Sequence, residues 1–293
     1  MSSVRAANLE DMHSGDRIAL GVLTPHAAGG PRAEIEGMAA GHVCVHVSRT
    51  RSPQSCASSD AGPSTLPADL RARAAPAALD QAAAALPPAL DVLAFASTST
   101  AYAIGYDDEC ALVRRLRQRW GLPVCTPTLS AVSALRSHGM KRISLVHPPW
   151  FGPALNALGV DYFRSQGFDV IEAQLADLPD DTTRIEPTAL VDWVTQHLSH
   201  RAEAVVIGGN GFRAAHAINE LESRTGCLVL EANQVLLKSV LDHVAAAVPI
   251  HGFGTLFDDL TQCRDRTRGH QRPSAAITGV TNSHLAHIPR SER

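Results

Sequence analysis

The strongest constraint on the fold is a set of four short apolar runs that recur along the chain with helical patterns between them. Each run is continuously apolar rather than alternating, which is typical of parallel strands covered on both faces. The runs span residues 17–23, 91–96, 142–146 and 204–207. Helical patterns cover residues 107–120, 130–138, 156–166, 186–198, 214–225 and 234–246. This alternation of strand and helix predicts an α/β protein.

An internal repeat divides the chain into two similar halves. The segment GDRIALGVLTPH, which begins at Gly15, resembles GMKRISLVHPPW, which begins at Gly139. In each half a strand ends in a small polar loop, and a helix, a Gly-x-x-Val step and a second helix follow. The repeat predicts two pseudosymmetric α/β lobes, each a parallel sheet flanked by helices.

The repeat also predicts where the lobes begin and end. We expect the first lobe at residues 15–120 plus 233–262 and the second at residues 121–232. The last helix should close back onto the first lobe, because its counterpart in the repeat opens the second. The tails at residues 1–14 and 263–293 are expected to be mobile, and the alternative for the second tail is an arm that reaches a partner subunit in a homo-oligomer.

Composition narrows the classes of partner. A net charge of −3 and an aromatic content of 4% give no footprint for nucleic acid. No apolar run approaches the ~20 residues of a membrane span, and the start of the chain lacks the apolar core of a secretory signal. The six cysteines are scattered without a Cys-x-x-Cys pair, as is typical of thiols in a reducing compartment. We therefore expect a cytoplasmic protein that binds neither nucleic acid nor a membrane.

Four loops should meet at one edge of the molecule, because ligands of parallel α/β sheets bind at the carboxyl ends of the strands. If a pseudo-twofold axis relates the lobes, these loops face one another across a cleft. They are TPHAAGG at residues 24–30, STST at 97–100, HPPWFG at 147–152 and GGNG at 208–211.

The STST loop offers three consecutive hydroxyl side chains before a helix. Ser97, Thr98 and Ser99, together with backbone N–H groups, are candidates for a carboxylate or oxyanion site. The plainer interpretation is that Ser97 or Thr98 simply caps the helix.

Two histidines of the loops are candidate acids or bases, because histidine titrates near neutrality. His26 lies in the first loop, just after the rigid Pro25, and His147 ends the third apolar run. The plainer interpretation of either is an inert histidine, facing solvent or packed away from the cleft.

Other motifs are absent or weak. GGNG is not followed by the Lys-Ser/Thr of a phosphate-binding P-loop, and it lacks the context of a dinucleotide fingerprint. The motif of a Ser-His-Asp nucleophile elbow is also missing. HVCVH at residues 42–46, HLSH at 197–200 and HLAH at 284–287 are poor candidates for metal sites. We expect no metal.

The loops as a group resemble those of the arylmalonate decarboxylase and maleate cis-trans isomerase group of the Asp/Glu racemase superfamily. The resemblance rests on RIALGVLTPHAAGG, DVLAFASTSTAYAIG, CTPTLSAVSALRSHGMKRISLVHP and AVVIGGNGFRAAHAINELESRTGCLVLEANQVLLKSVL, and covers most of residues 15–260. It implies two flavodoxin-like lobes with the active site between them. It also implies chemistry at the carbon next to a carboxylate, without a metal or an organic cofactor.

This chain departs from the group at its thiols. In the group, a cysteine ends the second strand of one or both lobes and acts as acid, base or nucleophile. Those positions match Ser97 and Gly209 here. The decarboxylases also carry a tyrosine near the end of the third strand, where this chain has HPPW.

The carboxylate-holding positions are retained. Thr98 and Ser99 match the hydroxyls that stabilise an enediolate in the group. The backbone cradle is matched by Gly209, Asn210 and Gly211.

Three functions follow from this pattern. The first is a cofactor-independent lyase, a decarboxylase of a small mono- or dicarboxylic acid, in which His26 or His147 delivers the proton. The second is a cis-trans isomerase or racemase in which Ser97 stands at the nucleophile position. The third is a carboxylate-binding protein that has lost the chemistry. Decarboxylation needs the oxyanion cradle first, whereas isomerisation and racemisation depend directly on the absent thiols.

Overall fold

Two four-stranded parallel sheets form the centre of the molecule, one in each lobe. The computed structural model describes residues 17–25, 30–51, 65–181 and 184–258. Both predicted tails and His26 lie outside the described residues.

The two sheets have the same topology. The first has the order β2-β1-β3-β4, with β1 at Ile18–Thr24, β2 at Val43–Arg49, β3 at Val92–Phe95 and β4 at Val124–Cys125. The second has the order β6-β5-β7-β8, with β5 at Arg142–His147, β6 at Asp169–Leu175, β7 at Ala204–Ile207 and β8 at Leu228–Glu231. The matching order confirms the repeat, and the four apolar runs are β1, β3, β5 and β7. Every residue of β3 and β7 is buried, as expected for strands covered on both faces.

Ten helices surround the sheets in the described part of the chain. In the first half they are α1 (Gly30–Met38), α2 (Pro67–Arg73), α3 (Pro76–Ala84), α4 (Thr98–Ile104) and α5 (Tyr106–Trp120). In the second half they are α6 (Pro127–Ser137), α7 (Pro153–Ser165), α8 (Pro187–His197), α9 (Ile218–Thr225) and α10 (Ala232–His243). Five of them begin with proline, whose fixed φ suits a first turn that needs no N–H donor.

The Gly-x-x-Val step of the repeat has a backbone reason. Gly121 ends α5 and Gly226 ends α9, and both have a left-handed conformation, with φ of 68° and 66°. Glycine takes this conformation without steric cost, so the chain turns sharply out of each helix into a short strand. The strand after the first of these turns, β4, has only two residues, too few to give a periodic signal of its own.

The pairing of β4 moves the division between the lobes. β4 pairs with β3, so the first sheet continues beyond the predicted boundary at residue 120. After β4 the chain enters α6, which packs against α10 from the other end of the chain. α10 also contacts α1, β3 and β4 of the first half and β8 of the second.

A buried carboxyl group fastens three helices together at one side. Glu109 of α5 is 1% exposed and accepts hydrogen bonds from Thr128 of α6, at 2.5 Å, and from Tyr162 of α7. Burial raises the pKa of Glu109, so the neutral form is favoured inside the protein.

Replacing Glu109 tests this contact. Glu109→Ala should lower the free energy of unfolding by about 2–4 kcal/mol, because it opens a cavity and leaves two buried hydroxyls unpaired. The measurement is urea unfolding, with Asp108→Ala, at an exposed position in the same helical turn, as the control. Equal stability of the two variants would contradict the assignment.

Candidate active site

The loop after β3 runs directly into α4, and Ser97 caps that helix. The Ser97 hydroxyl accepts from the Thr100 N–H at 3.3 Å and donates to the Thr100 hydroxyl at 2.7 Å. Ser99 Oγ lies 3.4 Å from Ser97 Oγ, and both residues are buried. The plainer interpretation of Ser97 as a helix cap therefore describes the structure, and its hydroxyl is engaged within its own helix.

Thr98 and Asn210 join the STST loop to the GGNG loop. The backbone N–H and the hydroxyl of Thr98 both donate to Asn210 Oδ1, each at 3.1 Å. Thr98 is 3% exposed and Asn210 is fully buried. The two loops that the repeat pairs thus meet directly, although 112 positions separate these residues.

A second asparagine continues this hydrogen-bond chain. Asn210 Nδ2 donates to Asn233 Oδ1 at 2.8 Å. Asn233 Nδ2 in turn donates to Glu34 Oε2 at 2.6 Å and lies 3.4 Å from Glu231 Oε1. A continuous series of hydrogen bonds therefore connects Thr98 with two carboxyl groups.

Glu34 and Glu231 form a buried carboxyl pair. Burial raises the pKa of Glu34 to about 7, against hydrogen bonds from Ala215 and Asn233 that lower it. The pKa of Glu231 is raised by burial and by the charge of Glu34. Burial and mutual repulsion disfavour ionisation of these two carboxyl groups, whereas the N–H and NH₂ donors around them favour it.

Glu231 also organises the start of α10. Its carboxylate accepts from the N–H groups of Asn233 and Gln234, at 2.8 and 2.9 Å, while Gln234 Oε1 accepts from the Glu231 N–H at 3.0 Å. This capping box fixes the backbone of Asn233 at the site.

The backbone of the GGNG loop is tightly packed. Gly209 has a φ of +96°, and a Cβ there would lie 2.9 Å from Pro148 Cγ. A Cβ on Gly30 would lie 2.8 Å from the Asn210 carbonyl oxygen and 3.1 Å from Gly211 Cα. At the position that matches the second cysteine of the related group, a side chain would therefore strain the backbone and require Pro148 to shift.

His147 lies beside this loop but is fully buried. Its Nδ1 lies 2.6 Å from Asn156 Oδ1, and its Nε2 lies 3.1 Å from the Tyr102 hydroxyl. Because Asn156 Nδ2 donates to Ala173 O, its Oδ1 accepts, so His147 carries its proton on Nδ1 and accepts at Nε2 from Tyr102. Burial lowers the pKa of His147 from an ordinary 6.5 to about 4, so the ring is neutral near physiological pH.

The remaining candidates are distributed around the same edge. Pro25 is buried directly after β1, and Gly211 packs near Gly30. No metal-binding group of three or more His, Cys, Asp or Glu residues occurs among the residues that the structure describes. Within the same residues, no helix is long and apolar enough to cross a membrane.

Several polar residues of the site were not predicted from the sequence, among them Tyr102, Asn233 and Glu34. Tyr102 lies on α4 one turn after Thr98, and its hydroxyl would lie 3.2 Å from a Cβ at Gly208. Asn233 carried one signal, the Glu-x-x-Gln spacing of a capping box around it. Glu34 carried none, because 199 positions separate it from Asn233.

Comparison with known proteins places the chain in one family. The family model for arylmalonate decarboxylase matches residues 77–257. No curated protein sequence matches the chain.

Two kinds of enzyme are among the solved structures with the same fold. Maleate isomerase Iso from Pseudomonas putida S16 superposes with a TM-score of 0.70 at 20% identity, covering 83% of this chain and 99% of that one. An arylmalonate decarboxylase superposes with a TM-score of 0.65 at 17% identity, covering 82% and 99%. A cysteine-to-serine variant of Nocardia farcinica maleate cis-trans isomerase, with a covalently bound succinylcysteine intermediate, superposes with a TM-score of 0.67 at 18% identity, covering 83% and 98%. At these identities the likeness concerns the fold.

The neutral state of His147 gives a testable dependence of stability on pH. Its folded pKa is depressed, so its contribution is complete above pH 6.5 and is lost as the pH falls towards about 4. Raised carboxyl pKa values, as at Glu34, act in the opposite direction over their own range. Between pH 6.5 and about 4, the unfolding free energy of His147→Gln should therefore fall by about 2–3 kcal/mol less than that of wild type.

Urea unfolding at a series of pH values measures this effect. The control is His200→Gln, because His200 is exposed. If the unfolding free energy falls equally steeply with decreasing pH in wild type and in His147→Gln, the His147 ring does not cause the loss of stability in acid.

The close packing at Gly209 predicts that a thiol cannot be restored there at no cost. Both Gly209→Cys and Gly209→Ala should lose about 1–3 kcal/mol of stability, because any Cβ is strained at this φ and meets the Pro148 ring. The matched control is Gly37→Ala in α1, where a Cβ meets nothing within 4 Å. Full stability of Gly209→Cys would contradict this account.

Proposed function

The chain belongs to the arylmalonate decarboxylase family, and from this we propose that it is a cofactor-independent lyase that decarboxylates a small carboxylic acid. Family membership supports an enzyme of the decarboxylase or isomerase kind. The proposal of decarboxylation depends on one observation in the site. The two donors of Thr98 converge on a single sp² oxygen, that of the Asn210 carboxamide.

A carboxylate or enediolate oxygen has the same hybridisation and similar size as that amide oxygen. Donors that already point at one buried position need not move themselves when negative charge develops there, which favours oxyanion stabilisation. The hydroxyl of Ser99 and the backbone of Gly209–Gly211 are proposed to complete the cradle. Burial strengthens each of these interactions, because little water competes for them.

In the proposed reaction, the bond between a carboxylate carbon and its neighbouring carbon breaks and CO₂ leaves. The electron pair of that bond passes into the second carboxyl group of the substrate as an enediolate. A proton then adds to the carbon that lost CO₂. A dicarboxylic acid therefore suits this site best, since its second carboxyl group takes up the electron pair.

The apolar surroundings of the GGNG loop favour conversion of the departing substrate carboxylate into neutral CO₂. A Cβ at Gly209 would contact the rings of Pro148 and Phe151, so this side of the loop faces apolar surfaces. A carboxylate that becomes neutral CO₂ gains from such surroundings, whereas water would stabilise the charged starting state.

The proton donor is proposed to be His26. Its neighbour in the sequence, Pro25, is buried directly after β1, and Gly30 packs against Asn210. His147 is the other candidate from the sequence, but its low pKa and its unprotonated Nε2 suit it to accept from Tyr102 rather than to donate.

The absent thiols weigh against isomerisation. The Nocardia isomerase structure carries its intermediate on a cysteine. Here the matching positions hold Ser97, whose hydroxyl is engaged with Thr100, and Gly209, where a side chain would be strained. A covalent route through a thiol has no nucleophile at either position.

The test is CO₂ release from a panel of 2-substituted malonates. Thr98→Val keeps the shape of the side chain but removes one donor, and kcat/KM should fall about 100-fold, as for loss of an oxyanion-hole donor. Thr195→Val, at an exposed position of α8, is the control. Unchanged turnover by Thr98→Val would overturn the proposal, and substrates that bind but are recovered intact would indicate a binding protein.

A further inference from the structure

The carboxamide of Asn210 occupies the position that the proposed function gives to a substrate carboxylate. Resting on that function, we propose that Asn210 is an internal competitor for the Thr98 donors, and that Glu34 and Asn233 are positioning residues that hold it there. A ligand must then displace Asn210 Oδ1 from Thr98 before it occupies the cradle.

The orientation of the two asparagine amides can be worked out from the end of the hydrogen-bond network at which the carboxyl groups lie. Asn233 is surrounded by acceptors: Glu34 Oε2 at 2.6 Å, Asn210 O at 3.1 Å and Glu231 Oε1 at 3.4 Å. Only its NH₂ group satisfies them, so its Oδ1 faces the opposite way, towards Asn210.

The orientation of the Asn210 amide follows from that of Asn233. Because Asn233 presents an oxygen, Asn210 must direct its NH₂ group there, at 2.8 Å. The oxygen of Asn210 is then left to face Thr98, where the N–H and the hydroxyl both donate to it. The carboxyl pair therefore determines that an acceptor, not a donor, fills the oxyanion position.

Glu34 suits this task because a carboxylate can accept at both oxygens. Its Oε1 accepts from the Ala215 N–H at 2.9 Å while its Oε2 accepts from Asn233. A carboxamide at this position has only one acceptor oxygen, so one of the two donors would face an NH₂ group. Glu34→Gln should thus loosen Asn233, and through it Asn210, without touching Thr98.

Release of Asn210 has to occur by rotation of its side chain. Its backbone is packed against Gly30, and Gly209 next to it is packed against Pro148. Asn210 and Asn233 are both fully buried, so their amides cannot exchange protein partners for bulk water in place.

This arrangement selects for charge in the ligand. Hydrogen bonds to an anionic oxygen are roughly twice as strong as those to a neutral one, so a carboxylate can displace the amide oxygen while an ester or amide of the same shape gains nothing by doing so. The competition also lowers the apparent affinity, which equals the intrinsic affinity multiplied by the fraction of molecules in which the Thr98 donors are free.

The test measures binding of malonate by titration calorimetry, independently of turnover. Asn210→Ala should bind malonate about tenfold more tightly than wild type, because two internal hydrogen bonds no longer compete. Glu34→Gln should give a smaller gain. Asn219→Ala, on the exposed side of α9, is the control and should leave the affinity unchanged.

Tighter binding by both variants is the expected result, and a purely structural role of either residue would not produce a gain. Weaker or unchanged binding by Asn210→Ala would overturn the proposal, and unchanged binding by Glu34→Gln would overturn the part assigned to Glu34. A double variant, Thr98→Val with Asn210→Ala, distinguishes failure of the competitor proposal from failure of the proposed function. If that double variant keeps the full affinity of Asn210→Ala, Thr98 is not the carboxylate site and the proposed function fails.

Discussion

The site depends on the contact between Thr98 and Asn210. It joins the carboxyl edge of the first sheet to that of the second, through donors and an acceptor that are both buried. Unpaired polar groups in such a position are costly, so the contact fixes how the two loops meet. The asparagine chain and the Glu34–Glu231 pair are arranged behind it, and together they set what the cradle presents to a ligand.

The two positions that match cysteines of the related group are held in different ways, one by its backbone and one by its side chain. At Gly209 the left-handed φ and the Pro148 ring disfavour any β-carbon. At Ser97 the hydroxyl is committed to capping α4. Under the proposed function, the site holds an anion through the Thr98 donors and uses another group for proton transfer, which suits decarboxylation better than chemistry through a covalent thiol adduct.

Much of the fold could be predicted from the sequence because it is encoded locally and twice. The continuous apolar runs gave β1, β3, β5 and β7, and the repeat gave the two lobes. The boundary after residue 120 missed β4, because a two-residue strand is defined by its pairing with β3 and not by its own pattern. The meeting of the STST and GGNG loops was predictable for the same reason as the lobes. The partners of those loops were not: Glu34 reaches Asn233 across 199 positions, and the burial that keeps His147 neutral depends on packing by Tyr102 and Asn156.

The most direct measurement is a crystal structure of the protein soaked with malonate. The account predicts a carboxylate oxygen within hydrogen-bond distance of both the N–H and the hydroxyl of Thr98, with the Asn210 side chain rotated away from them. A structure in which malonate binds in the cleft while Asn210 Oδ1 still accepts from Thr98 would contradict it.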